Sequence, residues 1–233
     1  MLYTESAVRA NLRNRDGKRV FFLASGDQLT PGAKDFLREN RIEILPASQA
    51  RPASYHTLDG GEFIEKPEHM THLRDGVLVA KNHPRIAFRG MVDRLEAELI
   101  LAQRDALDAG QSETCRELAD ALSLARQIIR CDVLDEPLGD IKLGGLDEAQ
   151  LRERSHKPQN YYQTPHFMPE HTQSRALLSV NRARTVARQT ELACYEAFRD
   201  REGRCLREDL LRAMNRLSSF LWILEIKLAD KGE

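Results

Sequence analysis

In the stretch RARTVARQTELACYEAF, Arg184, Arg188, Glu191 and Tyr195 stand at i, i+4, i+7 and i+11, so a helix aligns all four along one side. Two arginines one turn apart repel each other by roughly a few tenths of a kcal/mol on an exposed helix. A bound polyanion turns that penalty into a chelating pair, because guanidinium forks match phosphate oxygens. A solvated face, with Glu191 pairing Arg188 at i,i+3, accounts for the same charges without a ligand, and charge pattern alone favours it. A second cluster lies in AKNHPRIAFRGMVDRLEAEL, where Lys81, Arg85 and Arg89 precede or occupy the first turns of a helix. The dipole there favours anions. Asp93 follows Arg89 by one turn, and a surface pair between them is an equally good reading. Gly90 leans away from it, since a mid-helix glycine costs about 1 kcal/mol unless something packs closely.

Two further stretches carry polar groups in unusual places. LLRAMNRLSSFLWIL reads as a greasy helix, yet it holds Asn215 and Arg216. Asn215 falls one step off the apolar seam, in a row with Leu211, Ser218 and Trp222. A boundary asparagine satisfies a neighbouring helix or bonds a ligand hydroxyl. Arg216 points further round, toward solvent or a subunit contact. In SHKPQNYYQTPHFMPEHT, His156, His166 and His171 match no familiar ligand spacing, so loop packing ranks above metal binding. Phe167, between His166 and Met168, is suited to act as a hydrophobic wedge against a large flat ligand.

The elements that must position these residues are mostly helical. From Pro84 onward one stripe runs through Met91, Leu95, Leu99 and Ala102 to a stop at Gly110. A second runs through Leu118, Leu122, Ala125, Ile129 and Val133, opened by Ser112 and stopped at Pro137. Residues 138–172 hold one short helix, about Leu146 to Arg154, inside a loop long enough to be a lid. Two more helices follow, about Gln173 to Arg199 and Leu206 to Ala229. In the last, Leu210, Met214, Leu217, Leu221, Leu224 and Leu228 form a bundle seam. The front differs. RVFFLA and Ile42 to Leu45 read as strands flanking a helix that starts at Thr30-Pro31, a small α/β module of about residues 1–50, and ASQARPASYHTLDGGEF reads as a linker or hairpin. The expected fold is therefore mainly α, a bundle of four to five helices over residues 76–233 preceded by a small α/β N-terminal module and linker over 1–75.

Bulk properties narrow the function classes. The chain has 233 residues, 41% hydrophobic and 30% charged, with a formal net charge of −1. That balance suits a globular protein and gives no global field for nucleic acid or an anionic membrane. Any anion must be held by a local cluster. No run approaches the ~18 apolar residues of a membrane span. The N-terminus lacks a signal-peptide core, and Cys115, Cys131, Cys194 and Cys205 are far apart with no zinc-like spacing. Free thiols and a cytoplasmic location are expected.

Four segments resemble the cobalamin (corrinoid) adenosyltransferases, most closely those of the ethanolamine-utilisation type. They are KPEHMTHLRDGVLVAKNHPRIAFRGMVDRLEAEL, IIRCDVLDEPL, LGGLDEAQLRERSHKP and LTPGAKDFLRENRIEI. Motifs of the related propanediol-utilisation type map piecewise. Its K-x-x-x-R-(V/I)-x-x-x-G-x-x-D-x-L resembles Lys81, Arg85, Ile86, Gly90, Asp93 and Leu95. Its R-x-V-x-R-x-x-E resembles Arg184, Val186, Arg188 and Glu191, and its L-N-R-L-S resembles Met214 to Ser218. Its F-x-x-P-like loop resembles Phe167 to Pro169, shortened by one residue or slipped. Two departures stand out: the T-G-D-x-G phosphate loop is reduced to THLRDG from Thr71 to Gly76, and around His56 there is none of the cysteine metal motif that many ethanolamine-type members carry.

The resemblance implies transfer of the 5′-deoxyadenosyl group of ATP to the cobalt of cob(I)alamin, with release of triphosphate. It implies ATP and cobalamin as substrates, Mg2+ as cofactor, no bound transition metal, and a homo-oligomer, a trimer by preference, with sites between subunits. Arg188 and Lys81 would stabilise the triphosphate. Arg85 and Thr71 would lie at the nucleotide, and Glu191 would place magnesium and phosphates. Asn215 would bond the ribose or its neighbouring phosphate, and Arg184 would pair with Asp93 on the corrinoid side. Phe167 would displace the lower cobalt ligand. The alternative is a non-catalytic corrinoid- or nucleotide-binding relative, associated with a bacterial microcompartment through its N-terminal module.

Overall fold

Thr30 and Pro31 start a helix for the expected reason: the Thr30 hydroxyl accepts from Ala33 N, and Pro31 takes the first helical position, where its missing N–H is no loss. This helix, α2 (Pro31–Glu39), and the shorter α1 (Glu5–Ala10), capped by Thr4, belong to the first of two compact units, Met1–Lys81 and Asn82–Glu233. The computed structural model describes residues 1–15, 17–50 and 55–230.

Strands Lys18–Leu23 and Glu43–Pro46 pair in parallel, from Val20 opposite Glu43 to Leu23 opposite Pro46, with α2 as the crossover between them. Val8, Phe21, Ala33, Phe36, Leu37 and Ile42 form the core of this unit. The strand–helix–strand reading holds, but the module is not small. Among the described residues its sheet has seven strands, in the order Glu43–Pro46, Lys18–Leu23, Arg13–Arg15, Glu62–Phe63, Tyr55–Thr57, Val77–Ala80, Met70–Arg74. Two hairpins, Tyr55–Thr57 with Glu62–Phe63 and Met70–Arg74 with Val77–Ala80, extend it through the stretch read as linker. Their turns use Gly60 (φ 83°) and Gly76 (φ 64°), the left-handed conformation that glycine adopts without strain. Residues 51–54 of that stretch lie outside the described residues.

The second unit holds α3 (Pro84–Asp108), α4 (Ser112–Leu134), α5 (Glu148–His156), α6 (Arg175–Phe198) and α7 (Glu208–Asp230). Each boundary has a local cause. His83 Nδ1 accepts from Arg85 N ahead of Pro84, Gly110 closes α3 at φ 71°, and Asp135 closes α4 at φ 57°. An Asp147–Gln150 capping box opens α5, and Ser174 caps α6. α6 packs on α3 and α7, α3 also on α4, and α7 also on α5 and α4. The expected seam of α7 is buried throughout, and Ala213, Phe220, Ile223 and Ile226 are buried with it. This helix is therefore enclosed on most of its circumference. On α4 the stripe drifts: Leu118, Leu122 and Ala125 are buried, whereas Val133 is exposed and Ile128, Cys131 and Asp132 take the inner positions instead. The expected stripe, spaced four, three, four and four residues, averages longer than the 3.6-residue turn of an α-helix, so by Val133 it has rotated off the buried face. All four cysteines are free thiols, and no helix among the described residues is long and apolar enough to cross a membrane.

Candidate active site

The edge of α7 left uncovered by the bundle carries Asn215, Ser218, Ser219 and Trp222, the row that helical spacing assigns to one side. Facing it, α6 presents Arg184, Arg188, Gln189, Glu191 and Leu192, and the segment after α5 closes the space with His166, Phe167, Met168 and Pro169. Together with Ser155 and His156 they enclose a cleft of about 690 Å³. It lies within the second unit. Five of the residues singled out in the sequence, Arg184, Arg188, Glu191, Asn215 and Phe167, thus meet around one space.

Asn215 is oriented from both sides. Its Nδ2 donates to Glu191 Oε1 at 3.0 Å, and its Oδ1 accepts from Arg216 Nη1 at 2.6 Å. The hydroxyls of Ser218 and Ser219 both donate to the Asn215 carbonyl at 3.0 Å. Within the chain Arg216 is mostly shielded from solvent, holding Asn215 and lying 3.9 Å from Glu148 of α5, which sets aside the solvated reading. Glu191 therefore serves Asn215, and the i,i+3 pair with Arg188 is not formed. Arg188 is exposed and makes no hydrogen bond or ion pair among the described residues. It is a positive charge on the cleft wall still free to accept an anion. Tyr195, the fourth member of the row, turns away to donate to the Gly203 carbonyl at 2.8 Å.

Arg184 has a different occupation. Its Nε donates to Glu225 Oε1 at 2.6 Å, its Nη2 to Asn181 Oδ1 at 2.8 Å, and its guanidinium carbon lies 5.4 Å from the centre of the Trp222 ring. Within the chain, the partner of Arg184 is thus Glu225 rather than Asp93, which sits exposed on α3. Glu225 is fully buried, and burial raises its carboxyl from the usual 4.5 to about 7, with Arg184 pulling the other way. Trp222 is also the stacking surface for Phe167, at 5.3 Å and 28°, and for His166, at 5.4 Å and 15°. At the base of that loop the Asp230 carboxylate accepts from Gln163 N at 3.2 Å and Thr164 N at 2.6 Å. His166 is held by ring packing, as the sequence suggested, and His171 is exposed.

The remaining expected residues lie elsewhere. Arg85 and Arg89 on α3 converge on Asp132 of α4, which is fully buried: Arg85 Nε reaches Oδ1 at 2.8 Å, Arg85 Nη2 the backbone carbonyl at 2.7 Å, and Arg89 Nε reaches Oδ2 at 2.6 Å. Arg89 thus has Asp132, not Asp93, as its carboxylate partner. Neither Arg85 nor Asp93 lines the cleft of the single chain. An added Cβ at Gly90 would meet nothing within 4 Å, so no packing among the described residues explains that glycine. Thr71 lies in the first unit, opposite Val79 in its hairpin, and Lys81, the last residue of that unit, makes an exposed pair with Glu68 at 2.9 Å. Sequence reasoning missed Glu225, Trp222 as a stacking hub, Asp132 and Asp230. The signal for Glu225 was there: a lone carboxylate inside WILEIKL, three residues past Trp222.

Residues 64–228 match the family described as Cobalamin adenosyltransferase. The "Corrinoid adenosyltransferase EutT" of Salmonella typhimurium (strain LT2) is 30% identical over 246 residues, spanning 96% of this chain and 90% of that protein. The protein of the same name from Escherichia coli (strain K12) is 30% identical over 251 residues, spanning 98% of this chain and 92% of that one. These matches cover the cleft and both helices that wall it, and on them the chain belongs to the corrinoid adenosyltransferase family, in its EutT type.

Proposed function

We propose that the cleft between α6 and α7 is the site of an ATP:cob(I)alamin adenosyltransferase. The carrying observation is that Arg184, Arg188, Glu191, Asn215 and Phe167 line one space in a member of this family. In the reaction an electron pair on cobalt attacks the 5′ carbon of ATP. The cobalt–carbon bond forms, the carbon–oxygen bond to the triphosphate breaks, and the triphosphate leaves with the bonding pair. The nucleophile belongs to the substrate, so the protein needs no serine or cysteine and works by positioning and electrostatics.

The unpaired guanidinium of Arg188 supplies charge for the leaving triphosphate, and Lys81 is assigned the same role. Asn215, held rigid by Glu191 and Arg216, is suited to a ribose hydroxyl or the neighbouring phosphate. Glu191 is the one carboxylate among the residues lining the cleft. That fits Mg2+, which binds through one or two carboxylates plus substrate phosphates. When bound, Mg2+ would neutralise phosphate charge, and Glu191 would hold it. Phe167 lines the space, stacked on Trp222, and its ring is suited to exclude water and the lower ligand from cobalt. Thr71, Arg85 and Asp93 contribute at the nucleotide and corrinoid through a second copy of the chain in a homo-oligomer, a trimer by family preference. The open face at Gly90 supports a close approach there. A cytoplasmic setting, within or beside a microcompartment, completes the reading.

The test is anaerobic formation of adenosylcobalamin and triphosphate from ATP and chemically reduced cobalamin. Wild type should turn over, and Arg188→Ala should lose most of the rate, about 10²-fold or more as for removal of one preorganised charge donor. Full activity in Arg188→Ala would remove this cleft from the mechanism. Binding of ATP or cobalamin without product would instead favour a non-catalytic relative, the reading that the eroded phosphate motif at Thr71–Gly76 supports.

A further inference from the structure

Position 225 is an odd place for a charge. Its neighbours on α7, Ile223, Leu224, Ile226 and Leu228, are all buried hydrocarbon, and Glu225 itself has no exposed surface. A buried ion pair is often no more stable than apolar side chains of the same volume, so stability alone gives little reason for a carboxylate here. Glu225 uses one oxygen on Arg184, while Oε2 is buried without a hydrogen-bond partner among the described residues. A carboxylate held this way stabilises its surroundings poorly, but it fixes its partner well.

Arg184 is the partner, and three contacts define its guanidinium: Nε on Glu225, Nη2 on Asn181, and one face over Trp222. Nη1 keeps its donors without a partner among the described residues, on a side chain that lines the cleft. A guanidinium is planar, so tying two of its nitrogens fixes where the third points. Glu225 is the only one of these contacts that comes from the interior of the bundle and carries charge.

We propose that Glu225 is the positioning residue of this site. It acts through Arg184, holding the guanidinium over the Trp222 ring so that Nη1 is presented to an oxygen acceptor on the corrinoid. The inference rests on the reading of the cleft as an adenosyl-transfer site; the Glu225–Arg184 coupling itself can be tested without substrate. Trp222 is the only tryptophan in the chain, so its emission reports the guanidinium over its ring.

The experiment is a double-mutant cycle with Glu225→Leu, Arg184→Ala and the combined variant, together with Glu225→Gln, which retains an acceptor for Nε. Emission of Trp222 should change in Glu225→Leu and in Arg184→Ala, and the combined variant should match Arg184→Ala. With substrates, Glu225→Leu should raise the KM for cob(I)alamin roughly tenfold or more, as for loss of a charged hydrogen bond, and leave the KM for ATP unchanged. Glu225→Gln should restore much of that loss, and Glu225→Leu should add nothing in the Arg184→Ala background. Unchanged emission in Glu225→Leu, an additive cycle, or equal losses for both substrates would overturn the proposal. If Glu225→Leu does not fold, the same cycle is read with Glu225→Met, which matches the length of the side chain but offers Nε no acceptor, and an additive result overturns the proposal in the same way. A wild-type enzyme that makes no adenosylcobalamin refutes the functional reading instead, and leaves the emission cycle standing.

Discussion

Replacing Glu225 by Gln should alter how the stability of the bundle depends on pH, with a sign that separates two physical effects. The carboxyl is raised from its usual 4.5 to about 7 because burial disfavours the charged form more than Arg184 favours it. A group raised on folding contributes stability that is fully present below its unfolded value, near pH 4.5, and that is lost as the pH climbs through about 7. At about 1.4 kcal/mol per pH unit, the interval between those values corresponds to roughly 3 kcal/mol. Glutamine does not titrate, so the difference between wild type and Glu225→Gln isolates this group from every other carboxylate. Urea unfolding followed by Trp222 emission reports this region, since Trp222 lies three residues before Glu225. Arg184 is the charged group that acts on Glu225. Measured from pH 4.5 to 8.5, wild type should fall relative to the variant by about 3 kcal/mol, most of it between 4.5 and 7. If wild type instead gains on the variant as pH rises, pairing with Arg184 outweighs burial and the reasoning fails. Parallel curves would mean that Glu225 does not titrate in this range, and would refute it equally.

Two further outcomes follow from other parts of the second unit. Asp132→Ala removes the buried carboxylate shared by Arg85 and Arg89 and should destabilise the protein by about 3–5 kcal/mol in urea unfolding, whereas a loss of about 1 kcal/mol or less would mean the pair is no better than a surface bridge. Phe167→Ala uncovers one face of Trp222, so the free protein's emission should shift to the red; ATP binding should persist, while the spectral signature of four-coordinate cobalt(II) is lost. Persistence of that signature would take Phe167 out of the lower-ligand role.

What was legible in the sequence was what local spacing encodes. The row Arg184, Arg188, Glu191 needed only the helical repeat, and Thr30-Pro31 needed only capping chemistry. The seam from Leu210 to Leu228 was readable because packing enforces a period on apolar residues. Partner choice was not readable, because it depends on distant chain. Arg89 and Asp93 are spaced for a surface pair, yet Arg89 bonds Asp132, 43 residues away. Arg184 bonds Glu225, 41 residues away. A charge pattern along one helix contains no information about the carboxylates of the next. The sheet was underestimated for a related reason. Strands such as Glu62–Phe63 and Tyr55–Thr57 are too short to show an alternating pattern, and only their neighbours in the sheet define them.

The placement of Asn215 shows why site and core share one helix. Asn215, Ser218, Trp222 and Glu225 recur at intervals of three and four, as the seam residues do, so the two rows run side by side along α7. The seam is buried against the bundle and fixes the helix about its axis. A helix fixed in rotation presents the adjacent row at a fixed angle to α6, where Glu191 and Arg184 meet Asn215 and Glu225. Rotation by a single residue, about 100°, would carry the polar row into hydrocarbon and the seam into the cleft. The fixed placement of Asn215 at the cleft is therefore supplied by the leucines beside it. Weakening that seam should loosen ligand geometry before it unfolds the chain, because the row that faces the cleft has fewer packed neighbours to hold it in register.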